Sequence, residues 1–282
     1  MELSPRVDVA FKKVFADPKN KDLLKSLINS IVSKEDKVKS FEIVDPAKIR
    51  QFELDKLIIM DIKAESVTGK IYNLEVQVVD TKYYQKRALE YWAETYSMQI
   101  GKGNDYEKLK KVIAIHILNF EMFGKEEKFH SQFTIKSDET GKRYFTDFEI
   151  HTLELPKYET EVGFDNLKEA IDVWGGFFTD FHKLMEKDLS KLPEGKHVKN
   201  AIEQLQHVKL TKEEVAIYRS RQRWLRDQNS GLITKEERVK EAMQVKVDAE
   251  RKKAEAADKK AEAERQKAEA ADKKAEAADK KA

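Results

Sequence analysis

The run Val112-Ile113-Ala114-Ile115-His116-Ile117-Leu118 constrains the fold of this chain more than any other segment. Side chains alternate across a strand, so a strand apolar at nearly every position must be covered on both faces. Central strands of α/β sheets meet that condition. His116, set inside the run, reads as a hydrogen-bonded core histidine rather than a metal ligand. Just upstream, Tyr83 to Ile100 has helical spacing. Tyr84, Ala88, Tyr91 and Thr95 fall on one face, with Leu89, Trp92 and Tyr96 beside them. Gly101-Lys102-Gly103 is a natural stop, because glycine accepts the left-handed C-cap.

The other elements support the same class. Residues near 7–32 read as two short helices separated at Pro18, which cannot donate inside a helix. Phe41-Glu42-Ile43-Val44 is a short strand ended by Asp45-Pro46. Residues 56–64 and 71–79 are two further strands joined by Glu65 to Lys70, where Gly69 marks the turn. Residues 129–136 and 142–153 read as a hairpin around Asp138-Glu139-Thr140-Gly141. Beyond Pro156 the pattern turns helical over 164–186, 196–208 and 211–228. The expectation is an α/β core with a mixed sheet over residues 1–155. A helical extension over 156–230 and a charged tail over 231–282 follow.

The tail differs in kind. From Lys252 it repeats every seven residues, with alanines at 254, 257, 261, 268, 271, 275, 278 and 282, a spacing broken at Glu264. Glu255 and Lys259, Glu269 and Lys273, and Glu276 and Lys280 are favourably oriented pairs, worth ~0.2–0.5 kcal/mol each. A solvated single helix follows from the alanine content. An alanine-seamed coiled coil that joins copies of the chain is the second reading, weakened by how little area alanine buries. Charged residues are 38% of the chain, above the roughly 25% of an average globular protein, and this tail concentrates the excess. Net charge is only +2, so bulk charge declares no nucleic-acid partner.

Within the strand Ile71 to Val79, Glu75 and Gln77 share one face. A buried carboxylate costs several kcal/mol unless it finds a cation, a metal or hydrogen-bond donors. If the preceding turn centres near Thr68, residue 61 faces residue 75 across an antiparallel pair, by side-chain parity. Asp61, Glu75 and Gln77 then converge, with Asn73 and Lys63 nearby. Two carboxylates at cross-strand distance repel, which favours a divalent cation between them. Oxygen ligands without thiolates point to Mg²⁺ or Mn²⁺. Such an ion acidifies water and stabilises phosphate charge, the needs of phosphodiester hydrolysis.

At these residues the sequence resembles a known family. Asp61 followed by Glu75-Val76-Gln77 is similar to the strand pair of PD-(D/E)XK nucleases, and more specifically to the Rpn family of recombination-promoting nucleases and transposases. Asp8-Val9-Ala10-Phe11-Lys12-Lys13-Val14-Phe15 resembles that family's opening helix. Tyr83 to Trp92 resembles the helix after its catalytic strand, and Val112 to Phe120 the next strand. The resemblance covers roughly residues 4–185. It implies a restriction-endonuclease-like core and a Mg²⁺-dependent DNA endonuclease linked to recombination or transposition. Asp61 and Glu75 map to the metal carboxylates. Gln77 stands where the wider superfamily has lysine, so it orients water without supplying charge. Lys63 or Arg87 is the candidate source of that charge, and Asp8 an accessory acidic position.

Other readings stay beside this one. A nuclease scaffold acting only as a DNA-binding or interaction module would explain the missing lysine, and RNA is an alternative substrate. Arg219, Arg221, Arg223 and Arg226 with Trp224 make a basic helix suited to phosphates, or simply a solvated face. Tyr83, Tyr84, Tyr91, Trp92 and Tyr96 suit base stacking, though an aromatic stripe at this spacing is more often core. His130, His151, His182, His197 and His207 lack zinc spacing. The chain has no cysteine, which removes thiol catalysis and disulfides and fits a reducing cytoplasm. No apolar run reaches the ~18–20 residues of a membrane span, and the N-terminus lacks a signal-like apolar region.

Overall fold

The computed structural model describes residues 2–44, 62–81, 83–101, 105–220, 222–223 and 226–227. The chain divides into two units, Met1–Leu225 and Arg226–Ala282. The heptad tail, with the helix expected there, lies outside the described residues.

The first unit is built on a six-stranded sheet. Its strands are β1 (Phe41–Val44), β2 (Ile62–Ser66), β3 (Ile71–Gln77), β4 (Val112–Leu118), β5 (His130–Phe133) and β6 (Phe148–Glu154), in spatial order β1-β2-β3-β4-β6-β5. β3, β4 and β6 run parallel to one another, and the remaining neighbours are antiparallel. The sheet is therefore mixed, as its apolar pattern implied. All seven residues of β4 are buried, because it lies between two parallel neighbours and is covered from both sides.

Helix α1 (Asp8–Phe15), a 3₁₀ turn at Pro18–Asn20 and α2 (Lys21–Ile31) precede the sheet. Pro18 opens the turn, and Asp17 caps it by accepting from the Lys19 amide. α3 (Tyr84–Ser97) connects β3 to β4, and α4 (Ala170–Met185) and α5 (Gly195–His207) follow the last strand. Residues 212–220 are helical as well. α4 starts later than residue 164 because Glu169 and Asp172 form a reciprocal capping box. It is also not continuous. Asp180 leaves helical geometry, and its Oδ1 accepts from the His182 and Lys183 amides, restarting the helix.

The two faces of the sheet are unequal. One buries Tyr72, Leu74, Val76, Ile113, Ile115, Ile117 and Leu153 against α1, α2, α4 and α5 in a single core. Phe15 stands 5.6 Å from Trp174 and 6.0 Å from Phe178, ring centroid to centroid. Each such ring contributes about 1.5–3 kcal/mol by leaving water. The helices beyond Pro156 thus share one core with α1, α2 and the sheet. The other face carries α3, whose Tyr84 and Ala88 pack with Leu118, Phe120 and Met122. Leu89, expected near that contact, is 52% exposed.

β2 and β3 pair in the register Ile62↔Leu74, Lys63↔Asn73, Ala64↔Tyr72. The turn between them is centred on Thr68, with the Gly69 amide donating to Ser66 O and the Ser66 amide to Lys70 O. Gly69 has φ +82°, a left-handed conformation costly for any residue with a Cβ. β2 extends to Ser66, two residues past the expected strand end. Its expected start, 56–61, is outside the described residues.

Candidate active site

β3 sends alternate side chains to opposite faces, and this alternation builds the site. Tyr72, Leu74 and Val76 enter the main core. Asn73, Glu75 and Gln77 therefore point to the face that α3 covers. Asn73 and Glu75 are buried. Asn73 Nδ2 donates to Thr95 Oγ1 on α3 over 2.8 Å. One turn-pair earlier on the same helix, Arg87 reaches down to the strand. Its Nη2 donates to Glu75 Oε1 at 3.1 Å and to Gln77 Oε1 at 2.9 Å. Gln77 Nε2 donates to Val79 O, which fixes the carboxamide with its oxygen toward Arg87. The Arg87 guanidinium lies over the Tyr84 ring, 4.5 Å from its centroid, and 5.7 Å from that of Tyr91.

The parallel register places His116 of β4 beside Glu75. Its Nδ1 is 3.8 Å from Glu75 Oε2 and 2.9 Å from the Tyr84 hydroxyl. Burial, with Arg87's charge adding to it, pushes the His116 pKa down to about 4. The imidazole is neutral at pH 7, so its contact with Glu75 is not an ion pair. The reading of His116 as a buried, hydrogen-bonded histidine holds, and Tyr84 is the partner.

The remaining sequence candidates separate. Lys63 pairs by register with Asn73, so it shares the Glu75 face. It makes no ion pair with Glu75 among the described residues, and burial pulls its ammonium pKa down, with Glu65 opposing. Asp8 opens α1, where its Oδ1 accepts from the Val9 amide and its charge complements the helix terminus. Arg219, Arg223 and Arg226 are exposed, which leaves them available to phosphates and equally consistent with a solvated face. Asp61, Arg221 and Trp224 lie outside the described residues. Of the aromatic stripe, Tyr84 is buried while Tyr83 is 62% exposed with φ +78°. Trp92 stacks on Tyr96 at 5.1 Å and donates to Val112 O.

Two features escaped the sequence reading. Arg6 Nη1 donates to Asn119 Oδ1 at 2.5 Å, and the Asn119 amide bonds Gln77 O. A cation is thereby held where β3 and β4 end. The signal was there: Asn119 directly follows a buried parallel strand, and α/β sheets bind ligands outside the carboxyl ends of such strands. The second feature is a buried charge network at the opposite strand ends. Lys111 Nζ bridges Asp36 at 2.8 Å and Glu149 at 2.7 Å, Lys70 pairs with Asp36, and Arg143 with Glu149. No local pattern links residues so far apart in the chain.

A family model for PD-(D/E)XK nuclease family transposases matches residues 5–235. The chain belongs to that family. No curated protein and no solved structure matches it. The match spans the sheet, α3 and the helices through residue 220, further than the region of resemblance noted from the sequence. A PD-(D/E)XK nuclease family transposase has nuclease chemistry linked to transposition. Among the described residues no group of three or more His, Cys, Asp or Glu side chains gathers to hold a metal. The oxygens present, the Glu75 carboxylate and Gln77 Oε1, are hard donors that fit Mg²⁺ or Mn²⁺ rather than zinc. Among the described residues, no helix is long and apolar enough to cross a membrane.

Proposed function

We propose that this protein is a divalent-metal-dependent endonuclease that hydrolyses DNA phosphodiester bonds at Glu75, in recombination or transposition. The convergence of Glu75, Gln77 and Arg87 at the carboxyl-terminal half of β3 carries the reading. Glu75 and Asp61 are the proposed carboxylates for Mg²⁺, with Mn²⁺ as its substitute. Asp61 directly precedes Ile62, whose partner Leu74 directly precedes Glu75. A bound ion supplies Lewis acidity toward the phosphate and acidifies water.

The chain's own groups do the rest. Gln77 Oε1 accepts a hydrogen bond and thereby orients a water, while its Nε2 is tied to Val79 O. His116 from β4 and Tyr84 from the start of α3 close on the Glu75 Oε2 side, and Arg87 meets its Oε1. Arg6, held by Asn119 beyond Gln77, is placed to meet a DNA phosphate. The exposed Arg219, Arg223 and Arg226 supply further sequence-independent contacts.

Plasmid DNA incubated with purified protein in Mg²⁺ or in EDTA tests the reading, beside Asp61→Ala and Glu75→Ala. Cleavage by the intact protein should fall at least about a hundredfold in EDTA and in each variant. Cleavage that persists in EDTA or in both variants refutes the site. DNA binding without any cleavage would favour a non-catalytic scaffold, the reading that Gln77 in place of lysine supports. Cleavage of RNA in preference to DNA would reassign the substrate.

A further inference from the structure

The Arg87 guanidinium stands against Glu75 Oε1, an oxygen that a cation bound to Glu75 would use. One nitrogen, Nη2, spans Glu75 Oε1 and Gln77 Oε1. The neighbouring Nε is buried and has no hydrogen-bond partner among the described residues. Arginine's strongest geometry is a two-pronged fork that grips two oxygens at once. Here one prong is engaged and the adjacent one is idle. An unpartnered buried N–H is costly, so this pose favours a state in which the prong is filled.

We propose that Arg87 is a built-in competitor for the metal position. It holds Glu75 and Gln77 in register while no divalent ion is bound, and it lowers the affinity of Glu75 for that ion. Displaced from Glu75, it turns its fork to an oxygen of the scissile phosphate, supplying the positive charge that Gln77 lacks. The inference rests on the nuclease reading above. The Tyr84 and Tyr91 rings support the swing, because a guanidinium slides over an aromatic face without losing its cation–π attraction. Lys63 is the poorer candidate: it lies opposite Asn73, and burial disfavours its charged form.

Mn²⁺ titration of the full chain without DNA, followed by electron paramagnetic resonance of the free ion, tests this directly. Arg87→Met removes the charge and keeps the stem over Tyr84. It should bind Mn²⁺ about five- to fiftyfold more tightly than the unaltered protein, since a like charge has left the carboxylate. Arg87→Lys should bind close to the unaltered protein. Cleavage should move the other way, with Arg87→Met slowed about a hundredfold at saturating Mn²⁺ and Arg87→Lys partly restored. Arg87→Gln serves as the neutral variant if Arg87→Met fails to fold, which thermal melting reports.

Each outcome decides. Equal or weaker Mn²⁺ binding by the neutral variant, with binding lost in Glu75→Gln, overturns the competitor role and leaves the metal site standing. Binding by the neutral variant where the unaltered protein shows none supports it. No Glu75-dependent binding in either protein removes the nuclease reading and this inference together.

Discussion

Burial, with the charge of Arg87 adding to it, keeps His116 beside Glu75 from charging, and Tyr84 pairs with its ring. His116 Nδ1 and the Tyr84 hydroxyl share a hydrogen bond of 2.9 Å, and the ring stays neutral in its buried setting. Tyr84→Phe would remove that hydrogen bond and leave a buried ring nitrogen unpartnered, and we expect a loss of about 1–3 kcal/mol in urea unfolding. His130 is a parallel case: burial, with His151 beside it, pushes its pKa to about 4. Both histidines bind a proton more readily once unfolded, so low pH favours unfolding. Their contribution is full above pH 6.5 and is lost as pH falls from 6.5 toward 4. Each should shift the unfolding constant about tenfold per pH unit in that window. A urea midpoint flat between pH 7 and 4 would contradict the assignment.

β3 explains why much of this architecture could be read in advance and why part could not. Its alternation, the turn at Gly69 and the unbroken apolar run of β4 are local signals. They yielded the β2–β3 register, the central strand and the polar face carrying Glu75 and Gln77. The partners of that face come from other elements: Arg87, Thr95 and Tyr84 from α3, and His116 from β4. Arg87 was named as a charge source, but its double hydrogen bond depends on how α3 docks, which no spacing encodes. The break at Asp180 and the late start of α4 were missed because both are set by side-chain caps inside an apolar stretch. Gly175 shows the same dependence on packing. A Cβ there would stand 2.7 Å from the rings of Phe129 and Tyr158, which anchor α4 to the end of the sheet. Gly175→Ala should therefore destabilise the protein by about 1–3 kcal/mol despite its higher helix propensity, readable as a lower thermal midpoint.

The molecule carries buried carboxylates at both ends of its parallel strands, and only their partners distinguish structure from chemistry. Glu149 is fully buried. Burial alone would raise its pKa, but hydrogen bonds from His151 and Lys111, with their charges, hold it well below the usual carboxylate range. Asp36 is likewise held down, by Lys111, Lys70 and Ser33 against its burial. Lys111 thus joins the exit of α2 and the entrances of β4 and β6 by ion pairs to Asp36 and Glu149, an arrangement suited to fixing the sheet. Glu75 instead pairs with Arg87 over 3.1 Å, a cation that Gln77 also holds. The two ends should respond oppositely to mutation. Lys111→Met removes the cation shared by two buried carboxylates, leaving Asp36 to Lys70 and Glu149 to Arg143 and His151, and should cost about 3 kcal/mol. Because Glu149 and Asp36 have depressed pKa values, the network's contribution is complete above about pH 4.5 and fades as pH drops below it. The penalty of Lys111→Met should therefore shrink in acid, where the two carboxylates become neutral. Glu75→Gln should leave the unfolding free energy from urea titration within about 1 kcal/mol of the unaltered protein, since Arg87 can turn to water, while abolishing Mn²⁺ binding. If Glu75→Gln instead matched Lys111→Met in lost stability, Glu75 would be another structural anchor, and the site would have to be sought elsewhere in the fold.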